Sequence, residues 1–202
     1  MKILLCILIG YLIGSLNPAA LLSKLKKKDL RKQGTGNLGA TNTMIVLGKG
    51  YGALVMLFDV AKAFASVKLV QLLFADLAVA GILAGSAAVI GHIYPFYLKF
   101  QGGKGLAAFG GMILAVDPLL FIILLVIALT LMLVINYSVA MPISAAVLFP
   151  ILYGIRVKNL PEIIISIAIC LLIVIKHYSN IQRAKNGDDI KVRDYIKDHL
   201  FH

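Results

Sequence analysis

Long apolar stretches constrain this chain more than any other feature of its sequence. Seven apolar segments run over residues 3–23, 51–72, 77–97, 105–117, 119–136, 140–155 and 161–177. Several of them approach the ~20 residues that a helix needs to cross a bilayer. Hydrophobic residues make up 60% of the chain and charged residues only 14%, against about a quarter in soluble domains. The sequence therefore predicts an all-α membrane protein with seven transmembrane helices.

The first apolar segment, ILLCILIGYLIGSLNPAALL, is interpreted as a retained helix. Lysines follow it instead of the small-residue cleavage site of a signal peptide. No stretch between the apolar segments is long enough for a soluble domain, so we expect a single membrane domain over residues 1–202. Cys6 and Cys170 both fall in apolar segments and are predicted to be inert.

The distribution of lysine and arginine predicts the orientation in the membrane. With the N-terminus outside, seven crossings place the C-terminus in the cytoplasm. Of the 20 Lys and Arg, Lys2, Arg156 and Lys158 then lie outside and Lys62 and Lys68 lie within the second segment, which leaves fifteen inside. Cytoplasmic loops carry the excess of positive charge, so this orientation is favoured. The net charge of +11 then reflects topology and anionic lipids and does not indicate nucleic-acid binding.

Two glycine-rich stretches are predicted to face the cytoplasm, of which the first loop covers residues 34–42 (GTGNLGATN). Glycines let successive N–H groups turn toward one point, and Thr and Asn side chains add donors, as in phosphate-binding nests. The alternative is a flexible connection between helices. The motif is no Walker A sequence, because no lysine stands in the required glycine and Ser/Thr context. The candidate binding residues here are Thr35, Gly36, Asn37, Gly39, Thr41 and Asn42.

The second loop, residues 101–105 (QGGKG), leads into the shortest apolar segment. A helix over residues 105–116 would be about 18 Å long against a hydrocarbon core of ~30 Å. We therefore expect a half-helix whose N-terminus offers N–H groups and a positive dipole to an anion. Gly102, Gly103 and Lys104 lie at its mouth as candidate ligands. The alternative role for Lys104 is to anchor a helix at the membrane interface.

A third polar group follows the last apolar segment. His177 and Asn180 are one helical turn apart, and Arg183 continues the same face. This pattern suits recognition of a hydroxylated, phosphorylated substrate, with His177 as a candidate proton carrier. The alternative is a capped helix end with basic residues.

Several other positions are predicted to be structural. Asp59 and Lys62 lie one turn apart within the second segment, which favours an internal ion pair over a substrate contact. His92 is expected to pack beneath the second loop. Gly10 and Gly14 have the spacing of closely packed membrane helices.

Taken together, GTGNLGATN, GHIYP…QGGKG and H-x-x-N-I-x-R resemble the motifs of the bacterial membrane acyl-phosphate:glycerol-3-phosphate acyltransferases, the PlsY family. The resemblance covers nearly the whole chain. It implies seven transmembrane helices in the bacterial plasma (inner) membrane with the site on the cytoplasmic face. The implied reaction moves a fatty acyl group from acyl-phosphate to the 1-position of sn-glycerol 3-phosphate, giving lysophosphatidic acid and phosphate in the first step of phospholipid synthesis. No metal or other cofactor is implied, the expected partners are the two substrates and membrane lipids, and we expect a monomer.

The resemblance also assigns roles to residues. Residues 36–42 would bind the phosphoryl group of acyl-phosphate, and Lys104, His177 and Asn180 would position glycerol 3-phosphate. Ile45 stands where the family has a phosphate-binding arginine, and an alternative is a diverged member that uses another acceptor or binds lipid phosphate without turnover. An anion transporter is disfavoured because the chain shows no duplicated halves. The positions that depart from the family pattern are Thr35, Ile45, Ala108, Pro142, Tyr178 and Asp189.

Overall fold

A computed structural model describes residues 1–189, 191–194 and 197, and in this part of the chain no β-strand forms. The helices are α1 (Lys2–Ser15), α2 (Pro18–Leu25), α3 (Ala40–Leu47), α4 (Lys49–Leu73), α5 (Ala80–Ile93), α6 (Leu106–Val116), α7 (Pro118–Ile135), α8 (Ala140–Val157) and α9 (Leu160–Asn186). A 3₁₀ turn, Phe96–Leu98, follows α5. The predicted all-α class is therefore confirmed.

Several helical stretches are suited to cross a membrane. Among the described residues, five are long and apolar enough: Lys2–Leu25, Ala80–Leu98, Pro118–Ile135, Ala140–Val157 and Leu160–Asn186. The 25-residue α4 is also long enough but carries the buried charges Asp59 and Lys62, and α6 has only 11 residues. The chain is a multi-pass membrane protein, while seven crossings and their orientation stay predictions.

The first predicted segment, residues 3–23, is two helices, so the prediction of one continuous helix was wrong. Helix α1 ends at Ser15, and Asn17 caps α2 by accepting a hydrogen bond from the Ala20 N–H (2.8 Å). Pro18 occupies the first position of α2. Proline fits the first turn of a helix but disfavours helical backbone in the preceding residue. The Asn-Pro pair therefore breaks the segment locally, although its hydropathy is continuous.

The chain divides into two compact units, Met1–Pro118 and Leu119–His202. In the first unit, α1 packs against α5, and α4 contacts α3, α5 and α6. In the second unit, α8 packs against α9. The single membrane domain over residues 1–202 stays a prediction.

Glycines allow α1 and α5 to approach closely in the first unit. A Cβ atom on Gly10 would lie 2.2 Å from the Ala84 carbonyl oxygen, and one on Gly14 would lie 2.1 Å from that of Ala88. Both distances are too short for any side chain, so the predicted role of these two glycines is confirmed. This contact secures α5, whose last turn carries His92.

Candidate active site

The buried side chain of Asn42 shapes the first loop. Its Oδ1 accepts a hydrogen bond from the Thr35 N–H (2.6 Å), and its Nδ2 donates to the carbonyls of Leu30 (2.7 Å) and Asn37 (2.8 Å). The residue is 0% exposed. From the sequence, Asn42 is predicted to bind the substrate. Because these three bonds commit its amide to the loop itself, we assign Asn42 to holding the shape of the loop.

The backbone of the first loop is arranged differently from a simple nest. Gly34 and Gly36 have positive φ angles of 59° and 72°, which glycine adopts without steric cost. The N–H groups of Gly36 and Leu38, however, donate to the carbonyls of Gln33 (3.1 Å) and Gly102 (3.3 Å). Together with the bond at Thr35, three predicted anion donors are thus engaged within the protein.

The donors suited to an anion therefore lie at the end of the first loop, where α3 begins. Gly39 caps α3 without a side-chain hydrogen bond, and the first N–H groups of a helix have no partner within the helix. Thr41 is exposed in this first turn. Asn37 is half-buried, and its Nδ2 donates to Thr35 Oγ1 (2.8 Å).

The second loop is held by the end of α5. The N–H groups of Gly102 and Gly103 donate to the carbonyls of Ile93 (3.0 Å) and His92 (3.2 Å). Lys104 follows and is half-buried. Gly105, with a φ angle of 92°, then caps α6 without a side-chain hydrogen bond. The predicted half-helix is confirmed, and its N-terminus directly follows Lys104.

The structure brings the first and second loops together in the first unit. Besides the hydrogen bond from Leu38 to Gly102, a Cβ atom on Gly103 would lie 3.1 Å from the Leu38 carbonyl oxygen. A Cβ atom on Gly39 would lie 3.9 Å from Gly103 Cα. The uncapped start of α3 and the Gly102–Lys104 corner are thus neighbours, and both present features that attract phosphate.

Asn17 was not among the predicted site residues, but it supports this contact from the break between α1 and α2. Its Nδ2 donates to the Leu38 carbonyl (3.2 Å), and its N–H donates to the hydroxyl of Tyr97 (3.1 Å). The available signal was the Asn-Pro pair inside an apolar segment, which is typical of a turn or helix start. Asn17 therefore couples the helix break to the first loop.

The predicted internal ion pair in α4 is confirmed. Lys62 Nζ lies 2.7 Å from Asp59 Oδ1, and both residues are buried. His92 is also buried and its Nδ1 lies 3.2 Å from the same carboxylate oxygen. Its predicted position beneath the second loop is confirmed by the hydrogen bond that its carbonyl accepts from Gly103.

A basic cleft of about 440 Å³ lies beside the first loop. Its charged lining consists of Lys24, Lys27, Lys28, Asp29 and Arg31. Four positive charges against one negative charge make the potential in the cleft attractive to anions, which raises their local concentration. Leu38 of the first loop also lines this cleft, so the basic residues before the first loop border that loop.

The third motif lies on α9 in the second unit. His177 is buried, and its Nδ1 lies 2.9 Å from the Ile173 carbonyl oxygen. A carbonyl only accepts hydrogen bonds, so Nδ1 carries a proton and the lone pair of the neutral ring is on Nε2. Arg183 Nη2 donates to Asn180 Oδ1 (3.0 Å), which orients the carboxamide. These two hydrogen bonds define the tautomer of the His177 ring and the orientation of the Asn180 carboxamide on the helix face predicted for these residues.

The chain is similar to known proteins over nearly its whole length. The family model described as "Glycerol-3-phosphate acyltransferase" matches residues 4–187. A glycerol-3-phosphate acyltransferase of Macrococcus caseolyticus is 43% identical over 197 residues, covering 96% of this chain and 98% of the relative. One of Staphylococcus aureus (strain Newman) is 35% identical over 201 residues, covering 96% and 99%.

Solved structures show the same similarity. The crystal structure of PlsY (YgiH), an integral membrane glycerol 3-phosphate acyltransferase, in its glycerol 3-phosphate form matches with a TM-score of 0.87 and 31% identity, covering 95% of this chain and 96% of that one. Its lysophosphatidic acid form matches with a TM-score of 0.84 and 30% identity, covering 95% of both chains.

Proposed function

This chain belongs to the glycerol-3-phosphate acyltransferase family, and from this premise we propose that it transfers a fatty acyl group from acyl-phosphate to sn-glycerol 3-phosphate. The products are 1-acyl lysophosphatidic acid and inorganic phosphate, in the first step of phospholipid synthesis. The observation that carries the proposal is the contact between Leu38 and Gly102, which joins two phosphate-attracting loops in a family whose reaction involves phosphorylated substrates.

The reaction exchanges one C–O bond for another. The hydroxyl oxygen at position 1 of glycerol 3-phosphate bonds to the acyl carbonyl carbon, and the bond from that carbon to the phosphate oxygen breaks. The phosphate leaves with the bonding electron pair. Because phosphate is a good leaving group, holding the two substrates in register supplies much of the rate enhancement, and no covalent enzyme intermediate is required.

Residue roles follow from the loop geometry and the resemblance. The start of α3 in the first loop, with Gly39 and Thr41, binds the phosphoryl group of acyl-phosphate. Lys104 binds the phosphate of glycerol 3-phosphate through a charge-assisted hydrogen bond. His177 and Asn180 position the glycerol moiety, and Arg183 orients Asn180 through the bond to its Oδ1.

Two groups can take the proton of the attacking hydroxyl. The leaving phosphate is the first, since it gains negative charge as the C–O bond breaks. The second is Nε2 of His177, which holds the lone pair of the neutral ring because Nδ1 donates to Ile173. A general base must lie within hydrogen-bonding reach of the hydroxyl.

The membrane topology belongs to the same proposal. The chain crosses the bacterial plasma (inner) membrane seven times as a monomer, with its N-terminus outside, its C-terminus inside and its site on the cytoplasmic face. The charge distribution supports this orientation. Glycerol 3-phosphate then arrives from the cytoplasm, and the acyl chain of the other substrate stays in contact with lipid.

A second candidate function rests on Ile45, which is 47% exposed on α3. The resemblance places a phosphate-binding arginine here. A member without that arginine would bind lipid phosphate without turnover or acylate a different acceptor.

One assay separates these functions. Purified protein in detergent is incubated with radiolabelled glycerol 3-phosphate and palmitoyl-phosphate, and the organic phase is analysed for lysophosphatidic acid. We expect product with palmitoyl-phosphate and none when palmitoyl-CoA replaces it. Product with palmitoyl-CoA but not with palmitoyl-phosphate would contradict the proposed acyl donor. No product from either donor would contradict the proposed reaction and favour the diverged member.

A further inference from the structure

Three charged or polar side chains form a buried cluster that the proposed reaction does not use. Asp59 and Lys62 on α4 and His92 on α5 are 1%, 5% and 3% exposed. Lys62 Nζ lies 2.7 Å from Asp59 Oδ1 and 3.1 Å from His92 Nδ1. We call these three residues the charge cluster.

The hydrogen bonds of Lys62 define the state of the His92 ring. An ammonium group has three N–H donors and no acceptor. Around Lys62 Nζ there are three partners, namely Asp59 Oδ1, His92 Nδ1 and the Leu16 carbonyl at 2.5 Å. Each donor is used once if His92 Nδ1 accepts, which places the ring proton on Nε2. The 3.2 Å approach of Nδ1 to Asp59 Oδ1 is then a contact between two acceptors bridged by one ammonium.

The opposite edge of the His92 ring lies against the second loop. A Cβ atom on Gly103 would be 2.1 Å from His92 Nε2 and 2.8 Å from Cε1. The carbonyls of His92 and Ile93 accept the N–H groups of Gly103 and Gly102. The ring and the backbone of α5 thus hold the two residues that precede Lys104.

The charge cluster also reaches the first loop through the break between α1 and α2. Lys62 donates to the Leu16 carbonyl, and the next residue, Asn17, donates to the Leu38 carbonyl. Leu38 in turn donates to Gly102. The cluster therefore sits beneath both loops and is bonded to the backbone that supports each.

A contribution to stability does not by itself explain why the charge cluster is buried in this protein. Buried ion pairs often contribute no more than apolar side chains of similar volume, because desolvation offsets their attraction, although removing one partner is strongly destabilising. Charges at membrane depth commonly mark functional positions. Replacing Asp59 and Lys62 together by apolar residues should therefore leave the protein folded, so that any loss of function can be attributed to the missing charges.

We propose that the charge cluster positions the second loop for phosphate binding, with Lys62 holding His92 as the Nε2–H tautomer against Gly103. His92, Asp59 and Lys62 act as positioning residues through Lys104 and do not touch the substrate. The consequence for catalysis rests on the proposed function, whereas the tautomer and the loop geometry do not.

The tautomer is tested by ¹⁵N NMR of histidine-labelled protein in micelles. The chain has four histidines, and His92→Gln identifies the resonances of His92 by their loss. We expect an unprotonated, hydrogen-bonded Nδ1 and a protonated Nε2. In Lys62→Met, the Asp59 carboxylate becomes the partner of Nδ1, which then carries the proton. A protonated Nδ1 in the wild type, or no change in Lys62→Met, would overturn the assignment.

The positioning role is tested with the double variant Asp59→Leu/Lys62→Met, which leaves no unpaired buried charge. Lys68→Met is the matched control, because Lys68 is an exposed lysine on the same helix. We expect the double variant to fold, with faster amide hydrogen exchange at Gly102 and Gly103 and a KM for glycerol 3-phosphate raised about tenfold. The kcat should change less than the KM. The control Lys68→Met should leave the exchange rates at Gly102 and Gly103 and the KM unchanged.

These readouts distinguish failure of the inference from failure of the proposed function. Unchanged exchange at Gly102 and Gly103 in the folded double variant overturns the inference, whatever the activity. Faster exchange in a protein whose wild type makes no lysophosphatidic acid supports the inference and overturns the proposed function. If the double variant does not fold, the wild-type NMR spectrum still decides the assignment, because a protonated Nδ1 of His92 would exclude Lys62 as its hydrogen-bond donor.

Discussion

The imidazole of His92 occupies the space that a side chain on Gly103 would need. A Cβ atom at position 103 would lie 2.1 Å from His92 Nε2, far inside van der Waals contact. The same Cβ atom would lie 3.1 Å from the Leu38 carbonyl oxygen. Glycine at this position therefore lets α5, the second loop and the first loop meet.

Gly103→Ala tests this relationship. The added methyl group must displace the His92 ring or the loop, so we expect the KM for glycerol 3-phosphate to rise roughly 10- to 100-fold. Gly50→Ala is the control, because a Cβ atom on Gly50 meets nothing within 4 Å. Equal kinetics in both variants would show that the close contact has no part in substrate binding.

Asn42→Ala is expected to destabilise the first loop. It leaves the Thr35 N–H and the carbonyls of Leu30 and Asn37 without their partner, which should lower the free energy of unfolding by about 2–5 kcal/mol. Thermal unfolding in detergent measures the effect. The control is Gln33→Ala, which changes an exposed residue directly before the first loop. A melting temperature equal to that of the wild type would return Asn42 to the candidates for substrate contact.

Lys104→Met removes the ammonium that we propose to bind the phosphate of glycerol 3-phosphate. Hydrogen bonds to charged groups contribute about 1.5–3 kcal/mol, so the KM should rise ~10- to 150-fold. The kcat at saturating substrate should fall less. Lys68→Met again serves as the control, and a KM unchanged in Lys104→Met would favour the alternative role of a membrane-interface anchor.

Asn180→Ala tests the third motif. The variant removes the carboxamide that Arg183 orients, and we expect a KM for glycerol 3-phosphate raised about tenfold, the effect of losing ~1.4 kcal/mol. Gln182→Ala changes an exposed neighbour on the same helix and should leave the KM unchanged. If both variants behave like the wild type, Asn180 belongs to a capped helix end.

Ile45→Arg introduces the positive charge that the resemblance implies at this position. If acyl-phosphate and glycerol 3-phosphate are the substrates, kcat/KM should rise by up to ~30-fold, which corresponds to about 2 kcal/mol. Ile45→Gln adds polarity without charge and should have little effect. No gain in Ile45→Arg would support the diverged member, in which another acceptor is used.

Much of the fold was predictable because its signals are local. The half-helix α6 follows from the short apolar run between the second loop and Pro118, and the ion pair of Asp59 with Lys62 follows from their helical spacing. The break at Asn17 was also encoded locally, in the Asn-Pro pair, but the continuous hydropathy of the segment concealed it.

Within the site, the sequence could propose donors but could not assign their partners. The sequence of the first loop predicts a nest of N–H groups, yet those of Thr35, Gly36 and Leu38 donate to acceptors within the protein. Leu38 is engaged by Gly102, a residue far along the chain. Pairings of this kind depend on how helices pack, which no local pattern records.

The sequence by itself determined that this is a helical membrane protein, where its polar motifs lie and which residue types they contain, because apolar length and residue chemistry are properties of short stretches. Only the tertiary structure decided that the first and second loops touch, that Asn42 is turned inward, and that Lys62 and His92 lie beneath Gly103. The inward turn of Asn42 follows from the folded path of residues 30–42, which brings Leu30, Thr35 and Asn37 around its amide. The other contacts arise when α1, α4 and α5 pack together, since contacts between distant residues are formed by the fold as a whole.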